Sequence, residues 1–164
     1  MDELTDRLAA AAAGFEALRD RVVAREPWPL SEDYGTEPES DWGPKEVLAH
    51  VAEMLPYWLG QVDDILARPA GDGSPAFGRV STDANRLARI GADRELPAGE
   101  LFDRAAAGAG AVERRLGELT PADLARVGVH ARLGEMTVPA IVERFVVGHL
   151  EEHVRQLDEV LARD

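Results

Sequence analysis

The chain has 164 residues, a formal net charge of −13 at pH 7 and no cysteine. Its length suits a single domain, residues 1–164, which buries enough surface to hold a core without disulfide bonds. The negative charge repels phosphate backbones and anionic lipid, so we expect no nucleic-acid partner and no membrane partner. Because cysteine is absent, a metal site in this chain must use histidine, aspartate or glutamate.

The N-terminal segment predicts a cytoplasmic protein. Residues 1–20, MDELTDRLAAAAAGFEALRD, are acidic and amphipathic, whereas a secretory signal is basic and then apolar. The apolar run at residues 8–13 is mostly alanine and is too short to cross a bilayer. The lack of cysteine also fits a reducing compartment.

Apolar residues at a spacing of three to four predict a first amphipathic helix over residues 2–25. Its inward face is formed by Leu4, Leu8, Ala11, Phe15, Leu18 and Val22. Pro27 and Pro29 then begin a polar loop, which we expect to extend to about residue 42.

The second predicted helix has a clear start signal. Gly43 suits the N-cap, Pro44 the first helical position and Glu46 the third. Pro56 falls inside the apolar pattern, so we expect it to kink the helix or to leave a local defect. Pro69 ends the helix.

Residues 70–97 are predicted to be irregular, apart from one short helix that Ser81 or Thr82 caps and that runs through Ile90. A third long helix is predicted over residues 97–119. Its small residues, AAAGAGA, allow a neighbouring helix to pack closely, although the glycines weaken it.

Thr120 and Pro121 open a short helical turn, and Thr137 caps the last long helix, which runs to about Ala162. Four long helices and no strong strand signal predict an all-α fold, a four-helix bundle. The connections are long, so neighbouring helices need not all be antiparallel.

Three of the four histidines have the spacing of a metal site. His149 and His153 lie in the apolar stripe of the last helix, and i, i+4 side chains have Cβ atoms roughly 5–6 Å apart. His50 lies ~9 Å from the start of the second helix and His153 ~14 Å from the end of the last. If these two helices run antiparallel, the three histidines lie at a similar distance from one end of the bundle. They predict a metal site with an open position, and structural or surface histidines are the alternative.

Three neutral imidazoles would leave the charge of a divalent cation uncompensated. A water bound to it is then acidified toward neutral pH, or a thiol is held as thiolate. Because the chain has no cysteine, any reacting thiol must come from a small-molecule cosubstrate. Zinc is the first choice of metal and nickel the second, since imidazole suits both.

Several carboxylates lie near these histidines in sequence. Glu46 and Glu53 flank His50, and Glu152 follows His149 on the same helix. We expect them to be solvated surface groups, and a role in orienting the imidazoles is the alternative. The acidic runs SEDYGTEPESD and LEE are also expected to be solvated surface.

The remaining candidates are weaker. His130 lies in the predicted loop GVHARLGEM, where we expect a solvated histidine that is not a ligand. The alternative is that His130 and Arg132 reach the mouth of the pocket expected beside the metal site. Tyr57 and Trp58 follow His50 by about two turns, and either line the pocket or are ordinary core aromatics.

Two segments resemble the DinB/YfiT-like superfamily. One is W-x-x-x-E-V-L-A-H from Trp42 to His50, and the other is the later H-x-x-x-H at His149 and His153. Residues 132–161, RLGEMTVPAIVERFVVGHLEEHVRQLDEVL, are also similar to that family's last helix and its lead-in. The resemblance covers essentially the whole chain in length and helix order.

The resemblance implies an up-down-down-up four-helix bundle in which His50, His149 and His153 hold zinc or nickel. It also implies a homodimer, since many members are dimers. Characterised relatives include thiol-dependent transferases and isomerases that use mycothiol or bacillithiol. The maleylpyruvate isomerases among them tend to have glutamate where this chain has His149, so we do not expect that activity.

The leading hypothesis is therefore a divalent-metal-dependent enzyme with a three-histidine site. It would act on a small-molecule substrate as a thiol-dependent transferase or a related hydrolase. Two alternatives remain: a non-catalytic, stress-related bundle that binds a metal or ligand, and a purely structural dimeric bundle. The sequence does not identify a catalytic acid or base.

Overall fold

The computed structural model describes residues 1–69 and 71–163. Its α-helices are α1 (Asp2–Glu16), α2 (Arg19–Val23), α3 (Pro44–Ala67), α4 (Ala84–Asp93), α5 (Ala98–Glu118), α6 (Pro121–Leu124), α7 (Val138–Val142) and α8 (Gly148–Arg163). Three short strands are β1 (Ala76–Phe77), β2 (Val127–His130) and β3 (Gly134–Thr137). A 3₁₀ turn covers Glu39–Asp41, and a π-helical segment, Glu143–Val147, joins α7 to α8. The fold is mostly helical, which agrees with the predicted all-α class.

The first helix is shorter than predicted. The expected helix over residues 2–25 is divided into α1 and α2 at Ala17 and Leu18. The N–H of Leu18 bonds to the carbonyl of Phe15, three residues back. This tighter bond pattern ends the regular α-helical ladder while the chain keeps its direction of coiling. Phe15 is buried and packs on Phe102, with ring centroids 5.1 Å apart.

The start of α3 is confirmed. Gly43 is its N-cap and Pro44 lies in its first turn. The helix continues through Pro56 without interruption, although a proline leaves the carbonyl four residues earlier without its usual donor. Pro56 itself is exposed, whereas Ala52, the residue that carries this carbonyl, is buried.

The long helices α1, α3, α5 and α8 enclose the core. α3 packs against α5 and α8, and α1 also packs against α5 and α8. Gly108 of α5 permits the close approach to α3, because a Cβ there would lie 3.0 Å from the Cβ of Leu55. The predicted close packing on the small residues of this helix is thus confirmed, whereas the up-down-down-up order stays a prediction.

The small sheet was not expected. β1 pairs in parallel with β2, and β2 pairs antiparallel with β3. Gly128 lets β2 lie directly on the core, since a Cβ there would be 2.7 Å from Ile65 and 2.7 Å from Phe77. The expected cap of the short helix is also corrected: Asp83, not Ser81 or Thr82, accepts the N–H of Arg86.

The last helix begins as predicted and then departs from the prediction. The Thr137 hydroxyl accepts the N–H of Ala140 and caps α7. The π-helical segment then replaces one regular turn before α8 begins. A Cβ on Gly148 would lie 3.1 Å from the carbonyl oxygen of Glu143, so the wide turn is closely packed where it ends.

Within residues 1–69 and 71–163, no helix has the length and hydropathy that crossing a membrane requires.

Candidate metal centre

α3 and α8 bring the three predicted histidines together. The ring centroids of His50 and His149 are 5.0 Å apart, those of His50 and His153 4.8 Å, and those of His149 and His153 4.6 Å. Nε2 of His50 lies 3.3 Å from Nε2 of His149. Side chains almost a hundred residues apart in sequence therefore face one small volume.

A carboxylate that the sequence did not single out joins this group. Glu39 lies on the 3₁₀ turn before α3, in the acidic run that was expected to be solvated surface. One ligand atom each from Glu39, His50, His149 and His153 lies within 4.8 Å of the others. This set of three nitrogens and one oxygen can hold a divalent metal ion.

His153 has a free nitrogen directed into the group. Its Nδ1 lies 2.9 Å from Oε1 of Gln156, which can only accept, so Nδ1 carries the proton. The Gln156 amide in turn donates to the backbone carbonyl of Glu39 at 2.6 Å. Nε2 of His153 is buried and has no hydrogen-bond partner within the described chain. A buried unsatisfied group costs about 1–3 kcal/mol, which a metal ion would relieve.

Burial keeps the three imidazoles neutral. It lowers the pKa of His149 to about 3, with the neighbouring His153 and Arg86 adding to the effect. It lowers the pKa of His153 to about 4, and that of His50 well below its ordinary value. Neutral imidazole is the form that binds metal, so the site needs no proton release from these rings at pH 7.

Arg86 of α4 brings a cation into the same space. It is 4% exposed, and one of its guanidinium nitrogens lies 2.9 Å from Oε1 of Glu39 and 3.4 Å from Nδ1 of His50. Its other terminal nitrogen donates to the carbonyl of Ser81 at 2.9 Å. A guanidinium has no lone pair to give to a metal, so Arg86 positions Glu39 and donates toward the pocket.

A pocket of about 150 Å³ opens beside His50 and His149. Its other walls are Glu39, Trp58, Arg79, Val80, Ser81, Arg86 and Phe145. Trp58 and Phe145 stack with centroids 4.3 Å apart. Trp58 therefore belongs to both the core and the pocket wall, and a small molecule can reach the histidines from this side.

The family model of the DinB superfamily matches residues 2–157. The chain belongs to the DinB superfamily. The matched range contains the four long helices almost completely and both histidine segments. No curated protein matches the chain.

Within this DinB fold, Glu53 is not a solvated surface group. It accepts a hydrogen bond from Arg79 at 2.5 Å, and the same carboxylate oxygen lies 3.9 Å from Nδ1 of His50. The guanidinium of Arg79 also lies 3.6 Å from the ring centroid of Tyr57. Glu53 thus holds Arg79 at the rim and borders the His50 ring.

The expectation of a solvated surface carboxylate is wrong for Glu46 and correct for Glu152. Glu46 is fully buried, where it accepts from Arg94 at 2.9 Å and from the backbone N–H of Ser31 at 3.1 Å. It ties the loop after α2 to the first turn of α3 and has a structural role. Glu152 is exposed, as the sequence led us to expect.

The expectation of a solvated His130 is wrong. This residue ends β2, is 9% exposed and packs between Phe77 and Phe145, with centroids 5.4 and 5.2 Å away. Burial lowers its pKa, and the nearby Arg132 and Arg144 add to the effect. His130 is not one of the four converging residues. It does not line the pocket beside His50 and His149, but it lines a neighbouring pocket together with Arg132.

Proposed function

We propose that this DinB-superfamily protein is a divalent-metal-dependent enzyme in which His50, His149 and His153 hold the ion. The observation that carries the proposal is the convergence of three neutral imidazoles on one volume, where Nε2 of His153 has no partner within the described chain. Zinc is our first choice and nickel our second, because a set of imidazoles with one nearby carboxylate suits both.

We further propose that residues 1–164 act as one domain, an up-down-down-up bundle of α1, α3, α5 and α8 that forms a cytoplasmic homodimer. The family match over residues 2–157 and the mutual packing of these helices support the single domain. Light scattering on a sizing column measures the mass of the assembly, and a mass of about twice 17.8 kDa is expected.

The proposed reaction is thiol transfer, with mycothiol or bacillithiol as cosubstrate, or a related hydrolysis of a small molecule. A bound divalent ion would supply Lewis acidity that lowers the pKa of a thiol or water. The chain offers no cysteine of its own, so the thiol must enter as a cosubstrate. In this proposal Glu39, positioned by Arg86 at 2.9 Å, is the proton acceptor and not a fourth metal ligand, so one coordination position stays open. Trp58 and Phe145 exclude water from one wall.

The first experiment is metal analysis by mass spectrometry of tag-free protein purified without added metal. About one equivalent of zinc or nickel is expected in the wild type and its loss in His149→Ala. His130→Ala is the matched control, because it removes the one histidine outside the converging group and should keep the metal. A wild-type protein that contains no metal and takes up none on titration would contradict the proposal.

The second experiment separates the enzyme from its two alternatives. An enzyme should consume mycothiol or bacillithiol in the presence of an electrophile, and His50→Ala should stop the consumption. A metal-binding protein without turnover would lose thermal stability in EDTA and consume no thiol. A structural bundle would keep its melting temperature in EDTA.

A further inference from the structure

A second pocket, of about 340 Å³, adjoins the metal centre and has a charge opposite to that of the protein. We call it the arginine pocket, and its charged walls are Arg79, Arg132 and Arg144. The chain has 31 acidic against 18 basic residues, yet none of the described residues that line this pocket is a carboxylate. A concentration of positive charge on an acidic protein selects for an anion.

The arginines of this pocket are not neutralised to the same extent. Arg79 is paired with Glu53 at 2.5 Å. Arg132 and Arg144 are exposed, and across residues 1–69 and 71–163 neither forms an ion pair. Their guanidinium groups are therefore available to a ligand, and a guanidinium fork matches the geometry of a carboxylate or a phosphate.

The same pocket exposes apolar side chains. Within the described chain the exposed large hydrophobic residues are Val23, Val80 and Leu133, and the last two, 55% and 44% exposed, both line the arginine pocket. Phe145 adds an aromatic edge. Apolar groups left open to water beside unpaired cations suit a ligand that has both an apolar body and an anionic group.

The arginine pocket adjoins the pocket beside the histidines. Arg79, Val80, Ser81 and Phe145 line both. A molecule that extends across this shared wall would place one end among the arginines and the other next to His149. An elongated substrate would occupy both pockets.

We propose that the arginine pocket binds the anionic group of the substrate, and that the substrate is a small organic oxyanion with an apolar body. This inference rests on the proposed metal-dependent function and names the substrate class of that site. The carboxylate or phosphate lies between Arg132 and Arg144, the apolar body lies on Val80, Leu133 and Phe145, and the reactive end faces the histidines.

The test measures binding by titration calorimetry, with both metal-free and zinc-loaded protein. The probes are 4-phenylbutyrate, its neutral amide 4-phenylbutanamide, 2-phenylethyl phosphate and inorganic phosphate. We expect either organic anion to bind at least about tenfold more tightly than the amide, in both forms of the protein. The two organic anions distinguish a carboxylate from a phosphate ester as the preferred group.

The double variant Arg132→Gln/Arg144→Gln should lose this preference for the anion. The control is Arg114→Gln/Arg155→Gln, which removes the same charge from two exposed arginines outside both pockets and should retain it. Leu133→Ser should weaken the acid and the amide equally, because it removes an apolar contact and leaves the charges in place.

Three results would overturn the proposal. One is a preference for the anion that survives in Arg132→Gln/Arg144→Gln. Another is a preference seen only with zinc, which would place the anion on the metal. The third is inorganic phosphate binding as tightly as the organic anions. Arginine-dependent binding in a protein that takes up no metal would instead support the arginine pocket and contradict the metal-dependent function.

Discussion

The candidate metal centre and the arginine pocket share a wall but are built largely from different parts of the molecule. His50, His149 and His153 stand on two long helices that the core holds in place. Arg79 and Arg132 come from the segments that connect the helices and strands, whereas Arg144 lies on the π-helical segment that leads into α8. Side chains on packed helices are held more rigidly than those on connections. The centre should therefore fail sharply when one ligand is lost, whereas the pocket should respond gradually to each change.

The largest expected effect is the loss of one ligand. His153→Ala should reduce zinc affinity by more than the about 10–100-fold that removal of an outer partner costs, because it removes one of three nitrogens. Titration with zinc against a competing chelator measures the affinity. Arg132→Gln is the comparison from the other region and should leave zinc affinity unchanged; an equal loss in both variants would remove the distinction between them.

Gln156→Leu should have the next largest effect. Gln156 fixes the His153 ring and ties it to the backbone of Glu39, so its loss should weaken zinc binding by about 10–100-fold. The same chelator competition gives the value. Arg155→Leu, a change at the exposed neighbouring residue, should bind zinc normally, and normal binding by Gln156→Leu would show that the amide does not orient the imidazole.

Gly78→Ala should affect the arginine pocket and spare the metal centre. Gly78 has a φ of 88°, and a Cβ there would lie 2.7 Å from the His130 ring. We expect a loss of about 1–3 kcal/mol in the free energy of unfolding, from backbone strain and displacement of the ring. Urea unfolding measures it, and zinc affinity should be unchanged.

Gly60→Ala provides the matched control for that substitution. Gly60 lies within α3, where an added Cβ meets no atom within 4 Å. Alanine should therefore stabilise the helix by about 0.5–1 kcal/mol. If both variants lost stability equally, the close contact between Gly78 and His130 would not explain the loss in free energy of unfolding.

A pH dependence of the metal-free protein is also expected. The folded-state pKa values of His149 and His153, about 3 and about 4, lie below the value near 6.5 of an unfolded histidine. Between these values the unfolded chain binds more protons, so stability should fall as the pH falls from about 6.5 toward 4. Thermal unfolding in EDTA at pH 7 and pH 5 should show a lower midpoint at pH 5.

His149→Gln provides the control for the pH experiment. Glutamine does not titrate in this range, so the variant should show a smaller drop in melting temperature between pH 7 and pH 5 than the wild type. An identical drop in both proteins would assign the pH dependence to groups outside the centre.

The helices and the three histidines could be predicted because their signals are local. Apolar spacing marked α3 and α8, and the depth of His50 and His153 along those helices required only the rise per residue. The cap residues Gly43 and Thr137 are equally local signals, and both are confirmed. Gln156 was missed although its position, three residues after His153 on the same helix, was a usable signal.

The other residues of the site are brought together only by the tertiary fold, so the local sequence does not mark them. Glu39 is one of several acidic residues in its loop, and nothing local distinguishes the one that the 3₁₀ turn directs to the histidines. In the sequence alone Arg86 cannot be distinguished from a surface arginine, because its burial depends on how α4 packs against the rest of the fold. The sheet was missed because β1 has two residues and pairs with a strand some fifty residues later, so its pairing has no local signature.

The π-helical segment, Glu143–Val147, has a consequence for how the length of the chain can change. A wide turn of this kind behaves as one residue added to a regular helix, with both ends still in phase. Deleting a residue there should give an ordinary turn and leave the faces of α7 and α8 as they are. Deleting one between His149 and His153 would instead turn the following side chains by about 100° and carry His153 away from its partners. At this segment, therefore, the helix can lose or gain a residue without changing the direction in which His149 and His153 point.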